Sequence, residues 1–240
     1  KKTLLRLRWS AFRLKGERVA RILSLGVSGF MMSMTNSLVQ VLCNASLQHY
    51  GGDLYVGVMT VINSIREVVS MPVQGLTNGC PPVLGHNYRA GESQRVRRGI
   101  RFTTVLTVGY SVAAWALVMA VPELLIRIFN DEPELIAAGI PAFRPYFAAF
   151  FCMSFPFIRQ SVFVGLGRSR IAVFFSLLRK AILNAPLTVI LPIWMGTMGV
   201  FYAEAASQLV GGLACLATMY FTLYRPLGRL KDGETLPAHL

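Results

Sequence analysis

The sequence predicts an all-α membrane protein, a bundle of six transmembrane helices with both termini in the cytoplasm. Two features of composition lead to this fold class. Hydrophobic residues make up 54% of the 240-residue chain and charged residues only 15%, which is more apolar surface than one water-soluble core can bury. Long stretches also lack any Asp, Glu, Lys or Arg, and most of the cations lie in clusters between them.

Six apolar stretches are long enough for membrane-spanning helices, each of which needs ~20 residues. Their boundaries follow from charge-free runs and from glycine-containing breaks at Gly51-Gly52-Asp53 and Met195–Gly199. The predicted spans are Val19–Leu47 (I), Leu54–Pro82 (II), Phe102–Pro122 (III), Tyr146–Gly167 (IV), Ile171–Trp194 (V) and Val200–Tyr224 (VI). The segment before span IV, with Pro141, Arg144 and Pro145, is expected at the membrane interface.

The distribution of Lys and Arg predicts the orientation. Counted from the N-terminal segment through each connection to the tail, the numbers are 8, 0, 5, 2, 2, 0 and 3. Alternate segments therefore carry 18 cations on one side and 2 on the other. Because cytoplasmic loops are enriched in Lys and Arg, both termini are predicted to be cytoplasmic.

Three regions follow from these spans. Residues 1–21 are predicted to be a basic amphipathic cytoplasmic segment, which lies on the inner leaflet or serves as a linker, residues 22–224 a six-helix membrane bundle, and residues 225–240 a cytoplasmic tail. We expect a multi-pass protein of the plasma (inner) membrane. The sequence begins Lys1-Lys2 without an initiator Met, which suggests a piece of a longer chain or a processed chain, and we expect a piece.

The sequence contains no pattern typical of an enzyme. Its three histidines stand apart without metal-ligand spacing, its four cysteines form no C-x-x-C pair, and it has neither a GxxxxGK[ST] nor a GxGxxG motif. We therefore predict no enzymatic activity, no metal site and no cofactor. The cations that give the net charge of +13 do not form one stripe with aromatic residues between them but lie in clusters separated by long uncharged stretches, which argues against a nucleic acid partner.

Polar and ionisable residues inside the spans are the candidate functional residues, because they are costly in a bilayer. Ser33, Asn36, Gln40 and Asn44 recur at spacings of 3, 4 and 4, which places them on one stripe of a helix. Such a stripe serves either helix–helix hydrogen bonding or one wall of a polar lumen. The candidate lumen residues are Ser33, Asn36, Gln40, Asn63, Arg66, Glu67, Gln74, Asn78 and Arg179.

Several of these assignments leave two interpretations open. Arg66 and Glu67 are adjacent, so their side chains point ~100° apart on a helix and serve either a water-filled path or a tie to a neighbouring helix. Arg159 and Arg179 either face a cavity or extend to the surface. Pro72 and Gly75 in span II are predicted to be hinge points, because proline frees backbone groups of a membrane helix.

The order of short motifs resembles the C-terminal half of the multidrug and toxic compound extrusion (MATE) transporters. Met71–Gly75, Pro81–Gly91 and Arg95-Val96-Arg97 are similar to a Pro-x-x-Gly helix that leads into an Asn-Tyr-Gly-Ala loop and a basic turn. Similar later landmarks are Gly165–Arg168, Ser176–Arg179, Pro186-Leu187 and Gly196–Val200. The likeness covers roughly residues 20–224.

The resemblance implies one lobe of a twelve-helix transporter with two six-helix lobes around a central cleft. It implies export of amphipathic, often cationic small molecules in exchange for Na⁺ or H⁺ by alternating access. The implied partners are membrane lipid and an N-terminal six-helix lobe, in the same or a second chain, with residues 1–21 as the inter-lobe linker.

The sequence departs from the family pattern in two ways. Arg89 stands at the usual glycine of the loop, and spans I and IV lack the Glu and Asp that some branches use for cation binding. The coupling carboxylate would therefore be Glu67, Glu204 or a residue of the N-terminal lobe, and we expect the last. A lipid-linked sugar flippase of the same superfamily and a non-transporting membrane scaffold are the alternatives.

Overall fold

The computed structural model describes residues 16–167 and 179–228, and every regular element within those ranges is a helix. The predicted linker and tail lie largely outside the described residues, as does the beginning of predicted span V. The first helix runs Gly16–Arg89 and is broken at Gly52, where φ is 69° and ψ is −168°. We treat its two arms as α1 (16–51) and α2 (53–89).

The remaining helices follow in chain order. They are α3 (Ser93–Ala120), α4 (Pro122–Phe129), α5 (Pro133–Phe147), a 3₁₀ turn (Phe150–Met153) and α6 (Ser154–Gly165). After residues 168–178 come a π-helical turn (Arg179–Asn184), α7 (Ala185–Met195) and α8 (Thr197–Met219). A second π-helical turn (Tyr220–Tyr224) and a short turn (Arg225–Leu227) continue α8.

Three helical stretches in the described residues are long and apolar enough to cross a membrane, and a bent pair is a fourth candidate. The three are Ser33–Arg89, Ser93–Ala120 and Thr197–Leu227, and the pair is α5 with Phe150–Gly165, bent by 53°. The break at Gly52 divides the first stretch, and Ile182–Met195 is a shorter apolar helix. In chain order these elements correspond to the six predicted spans.

The fourth predicted span differs most from the structure. Its helix begins at Pro133, well before the predicted start at Tyr146, and bends after Phe147. Phe143 and Phe147 are fully buried, with ring centroids 4.5 Å apart, whereas Pro141 and Arg144 lie on the exposed side of the helix. The segment expected at the interface is therefore amphipathic, and its apolar face belongs to the core.

The apolar core consists of two clusters at different levels of the bundle. One joins the Gly52 end of α2 to α5 and to the beginning of α8, through residues such as Ile62, Phe147 and Phe201. The other joins the far end of α2 to α3, α6 and the end of α8, through residues such as Leu84 and Phe163. The middle parts of α2 and α8 lie between the two clusters, and a polar cavity forms there.

Pro81 in α2 frees a carbonyl group that a neighbouring helix then satisfies. Pro81 has no N–H to donate to the carbonyl of Thr77, four residues earlier. The buried hydroxyl of Ser161 on α6 donates to that carbonyl at 2.5 Å. The tie is reinforced by close packing, since a Cβ on Gly165 would lie 3.1 Å from Pro81 Cα. The irregular part of α2 is thus fixed against α6.

Replacing Ser161 with Ala should destabilise the protein by about 1 kcal/mol, because the freed carbonyl of Thr77 loses its donor. Ser64→Ala is the matched control: Ser64 Oγ donates at 2.9 Å to Thr60 O, within its own helix. That carbonyl keeps the backbone N–H of Ser64. Thermal unfolding midpoints in detergent measure both changes, and equal midpoints for the two variants would contradict the proposed tie.

The hairpin of α7 and α8 depends on glycine. Gly196 turns the chain with φ of 58°, as the predicted Met195–Gly199 break requires. Three residues later, a Cβ on Gly199 would lie 2.5 Å from the backbone carbonyl of Leu191. The two helices therefore approach so closely that only a residue without a side chain fits at position 199.

We expect Gly199→Ala to lower the thermal midpoint clearly, because the added methyl group must displace backbone rather than a flexible side chain. Gly109→Ala is the opposite case: Gly109 is helical and a Cβ there would meet no atom within 4 Å, so Ala should stabilise α3 by about 0.5–1 kcal/mol. A Gly199→Ala protein as stable as Gly109→Ala would show that the hairpin can open without cost.

Candidate functional site

A polar cavity of about 410 Å³ lies between α1, α2, α6, the first π-helical turn and α8. This volume is within the ~300–1,000 Å³ typical of small-molecule sites. Its lining residues are Asn36, Val39, Gln40, Cys43, Met59, Asn63, Arg66, Glu67, Ser70, Gln74, Tyr146, Met153, Pro156, Phe157, Gln160, Lys180, Asn184, Val200, Glu204 and Gln208. The charged members are two cations and two carboxylates, so the formal charges of the cavity cancel.

Most of the predicted lumen residues lie on this cavity. The structure brings together Asn36, Gln40, Asn63, Arg66, Glu67 and Gln74 from α1 and α2. Ser33 and Asn78 are exposed and lie outside the lining. The side chain of Arg179 is outside the described residues, but Lys180, the next residue, lines the cavity. The structure thus brings residues of α1 and α2 together around one cavity.

The polar stripe of α1 meets the cavity along part of its length. Asn36 and Gln40 line it, and Gln40 Nε2 donates to Asn44 Oδ1 at 3.3 Å. Cys43 extends the same wall and lies 3.8 Å from Thr188 Oγ1 on α7. Part of the stripe therefore lines the cavity, and the Gln40–Asn44 hydrogen bond lies within α1 rather than between helices.

Arg66 is the central cation of the α2 wall. Its side chain lines the same cavity as Tyr146, Glu204 and Glu67, all of which lie within electrostatic reach of the guanidinium. Tyr146 Oη in turn donates to Asn63 Oδ1 at 3.1 Å. Neither of the helix-surface ion pairs Glu92–Arg95 and Glu123–Arg127 includes Arg66. Arg66 is therefore balanced by the field of the cavity rather than by one contact.

The side chains of Glu67 and Arg66 leave α2 in different directions, as the ~100° offset between adjacent helical residues predicts. Its side chain is exposed, whereas Arg66 is partly covered. One turn further along α2, Ser70 Oγ donates to the carbonyl of Glu67 at 2.9 Å and accepts from Gln74 Nε2 at 3.1 Å. Glu67 and Gln74 thus share one polar ridge that faces the cavity.

Glu204 is the carboxylate at the opposite wall, on α8. Its Oε2 accepts from Asn184 Nδ2 and its Oε1 from Gln208 Nε2, each at 2.9 Å. Asn184 is oriented by Thr188, whose hydroxyl donates to its side-chain oxygen at 3.2 Å and to its carbonyl at 2.9 Å. Asn184 and Gln208 are both buried, so the carboxylate is held by amides that do not face bulk water.

The predicted hinge residues lie next to the cavity. Pro72 and Gly75 are exposed on α2, on either side of Val73 and Gln74, and a Cβ on Gly75 would meet no atom within 4 Å. Near Pro72, the carbonyl of Val69 accepts from Tyr110 Oη on α3 at 3.1 Å. Bending of α2 at these residues stays a prediction.

Several cavity residues were not among the predicted lumen residues. Asn184, Glu204, Gln208, Lys180 and Tyr146 come from three other parts of the chain. Their sequence signal was the presence of amides and charges in predicted spans V and VI, with Glu204 and Gln208 one helical turn apart. Arg159, left open by the sequence, is 2% exposed, with Cζ 5.9 Å from the ring centroid of Phe163, and it does not line the cavity.

Comparison with known proteins identifies the family. The MatE family model matches residues 29–190, two thirds of the chain. The chain is 19% identical over 205 residues to the multidrug export protein MepA of Staphylococcus aureus and 24% identical over 214 residues to the probable multidrug resistance protein YpnP of Bacillus subtilis. These alignments cover 85% and 86% of this chain but 45% and 46% of the relatives.

Solved structures give the same result. The MATE multidrug transporter DinF-BH in complex with R6G is 30% identical, with a TM-score of 0.78 over 96% of this chain and 51% of that chain. An inward-facing MATE family transporter is 16% identical, with a TM-score of 0.82 over 92% of this chain and 51% of that one. The chain thus spans about half the length of its relatives, and it belongs to the MatE family of membrane transporters as one lobe of a MATE fold.

Proposed function

We propose that this chain is the C-terminal lobe of a secondary active exporter, which expels amphipathic cations in exchange for Na⁺ or H⁺ by alternating access. The polar cavity between apolar helices is the observation that carries the proposal. Charges and amides are costly inside a membrane bundle and are retained there where a pathway or a ligand uses them. We place the protein in the plasma (inner) membrane.

The second lobe is part of this proposal. The chain covers about half of each relative, and the cavity's polar residues include the exposed Asn36, Gln40 and Glu67. Exposed polar side chains at membrane depth are tolerated where they face protein or water rather than hydrocarbon. An N-terminal six-helix lobe, in the same or a second chain, would cover this side and close a cleft around the substrate.

A second candidate function is export of a lipid-linked sugar. It is favoured by Arg66 and Lys180, two cations on the cavity wall that could attract an anionic headgroup. Glu67 and Glu204 favour a cationic substrate instead, and the exposed position of Glu67 makes it the more accessible of the two carboxylates. We therefore prefer the cationic substrate.

Ethidium efflux from cells that express the complete transporter tests the preferred substrate class. Glu67→Gln should lower the initial efflux rate roughly 10-fold, because it removes an exposed negative charge from the cavity wall. Glu134→Gln is the matched control, since Glu134 is an exposed carboxylate of α5 outside the cavity lining. Unchanged efflux in both variants, at equal membrane abundance, would contradict a cation pathway along Glu67.

A pair of amide variants tests the cavity independently of charge. Asn63→Ala removes the acceptor of the Tyr146 hydroxyl and should lower ethidium efflux several-fold. Asn78→Ala, on the same helix but outside the lining, should leave it near wild type. Rescue of cell-envelope synthesis in a flippase-deficient strain, without ethidium efflux, would establish the sugar-lipid alternative. Absence of both activities from the complete protein would favour a scaffold.

A further inference from the structure

We propose that arginines at the adjoining ends of α3 and α8 form a binding site for the phosphate headgroup of an anionic membrane lipid. The site consists of Arg97 and Arg101 on α3 and of Arg225, which follows the second π-helical turn. It lies at the end of the bundle that the distribution of Lys and Arg predicts to be cytoplasmic. The inference does not depend on the substrate or the coupling ion of the exporter proposed above.

The first observation is positive charge without matching negative charge. Residues 68–122 contain five arginines and one carboxylate, Glu92. Glu92 lies 3.5 Å from Arg95 on the exposed surface. Within residues 16–167 and 179–228, no carboxylate pairs with any of the three arginines of the proposed site. This end of the bundle therefore attracts an anion from outside the described chain.

The second observation is that Arg97 is held in place without a ligand. Its Cζ lies 4.7 Å from the ring centroid of Tyr224, and its buried Nε has no hydrogen-bond partner among the described residues. A Cβ on Gly228 would lie 2.9 Å from Arg97 Nη1, so the guanidinium also packs against the last described turn. Tyr224 in turn stacks on Tyr220, with ring centroids 5.8 Å apart. A guanidinium fixed in this way loses little conformational entropy when it binds an anion.

The third observation places the other two arginines beside Arg97. Arg101 follows Arg97 by one helical turn and therefore lies on the same side of α3. Arg225 directly follows Tyr224, and the short turn that begins with it packs against α3. The side chains of Arg101 and Arg225 are both exposed. Guanidinium groups from two helices are thus available to one headgroup, and each can bind two phosphate oxygens.

The surface next to the arginines indicates a lipid rather than a soluble anion. Phe102 and Val105 on α3 are 70% and 65% exposed, and Phe221 in the extension of α8 is 62% exposed. Both helices are long and apolar enough to cross a membrane. The arginines therefore lie where an apolar helix surface ends, which is the level of the lipid phosphates. Basic sites between membrane helices on the cytoplasmic side suit anionic headgroups, and the apolar side chains can contact the acyl chains.

Titration of the purified complete transporter with cardiolipin, read by native mass spectrometry, tests the site. We expect cardiolipin to bind more tightly than phosphatidylcholine, whose headgroup has no net charge. Replacing Arg97 and Arg101 together with Gln should raise the Kd for cardiolipin at least about 10-fold. Arg127→Gln is the matched control, because Arg127 is exposed on α4, beyond the other end of α3, and it should bind cardiolipin like the wild type.

Arg97→Lys separates a site of defined shape from general attraction between cations and anionic lipids. This substitution keeps the charge but removes the planar guanidinium that stacks on Tyr224, so the Kd should rise several-fold. A Kd equal to that of the wild type in Arg97→Lys, or an equal loss of affinity in Arg127→Gln, would show general attraction and overturn the site.

Other results would also overturn the proposal. They are equal affinity of the wild type for cardiolipin and phosphatidylcholine, displacement of cardiolipin by an equal concentration of inorganic phosphate, and absence of cardiolipin binding because the other lobe covers the arginines. If the variant with Gln at 97 and 101 fails to fold, Arg101→Gln combined with Arg225→Gln replaces it, since it keeps the contact of Arg97 with Tyr224, and the same 10-fold increase is expected. Transport is not measured in any of these experiments, so their outcome is separate from that of the exporter function.

Discussion

The structure depends on how this apolar bundle accommodates four charges in one cavity. A charge moved from water into a low-dielectric interior is stable only with countercharges and hydrogen bonds around it. Arg66 lies among Tyr146, Glu67 and Glu204, and Glu204 lies between two amide donors. These groups come from α2, α5, α8 and the π-helical turn before α7, so the positions of these four elements are all constrained by the need to satisfy the cavity.

The cavity lies between two levels of the bundle at which the helices are in close contact. At one end, α7 and α8 touch backbone to backbone at Gly199. At the other, α2 and α6 meet at Pro81 and Gly165, where the hydroxyl of Ser161 replaces the donor that proline lacks. The apolar clusters lie at these same levels. Irregular backbone near the cavity, including the π-helical turn that ends at Asn184, is therefore held between two tightly packed regions.

The sequence predicted those features that depend on residues close together in the chain. The 3.6-residue period identified Asn36 and Gln40 as one wall, and the Gly51-Gly52 pair marked the break between the first two helices. The sequence did not predict features that depend on packing between distant segments. Glu204 meets Asn184 across 20 positions, and no pattern in span IV reveals the bend after Phe147. Ser33 and Asn78 share the predicted stripes but lie beyond the ends of the cavity.

The arrangement of charge also bears on why one lobe of a MATE fold is incomplete by itself. The half-buried carboxylate of Glu204 is hydrogen-bonded within the lobe, whereas Glu67 is exposed on the α2 wall. Against hydrocarbon, an exposed carboxylate and the amides of Asn36 and Gln40 would lose their hydration without compensation. A second lobe that enclosed a water-filled cleft on this side would leave the exposed wall of α1 and α2 facing a substrate. The half-buried Glu204 needs no such cover, because two amides of the same lobe already hold its carboxylate oxygens.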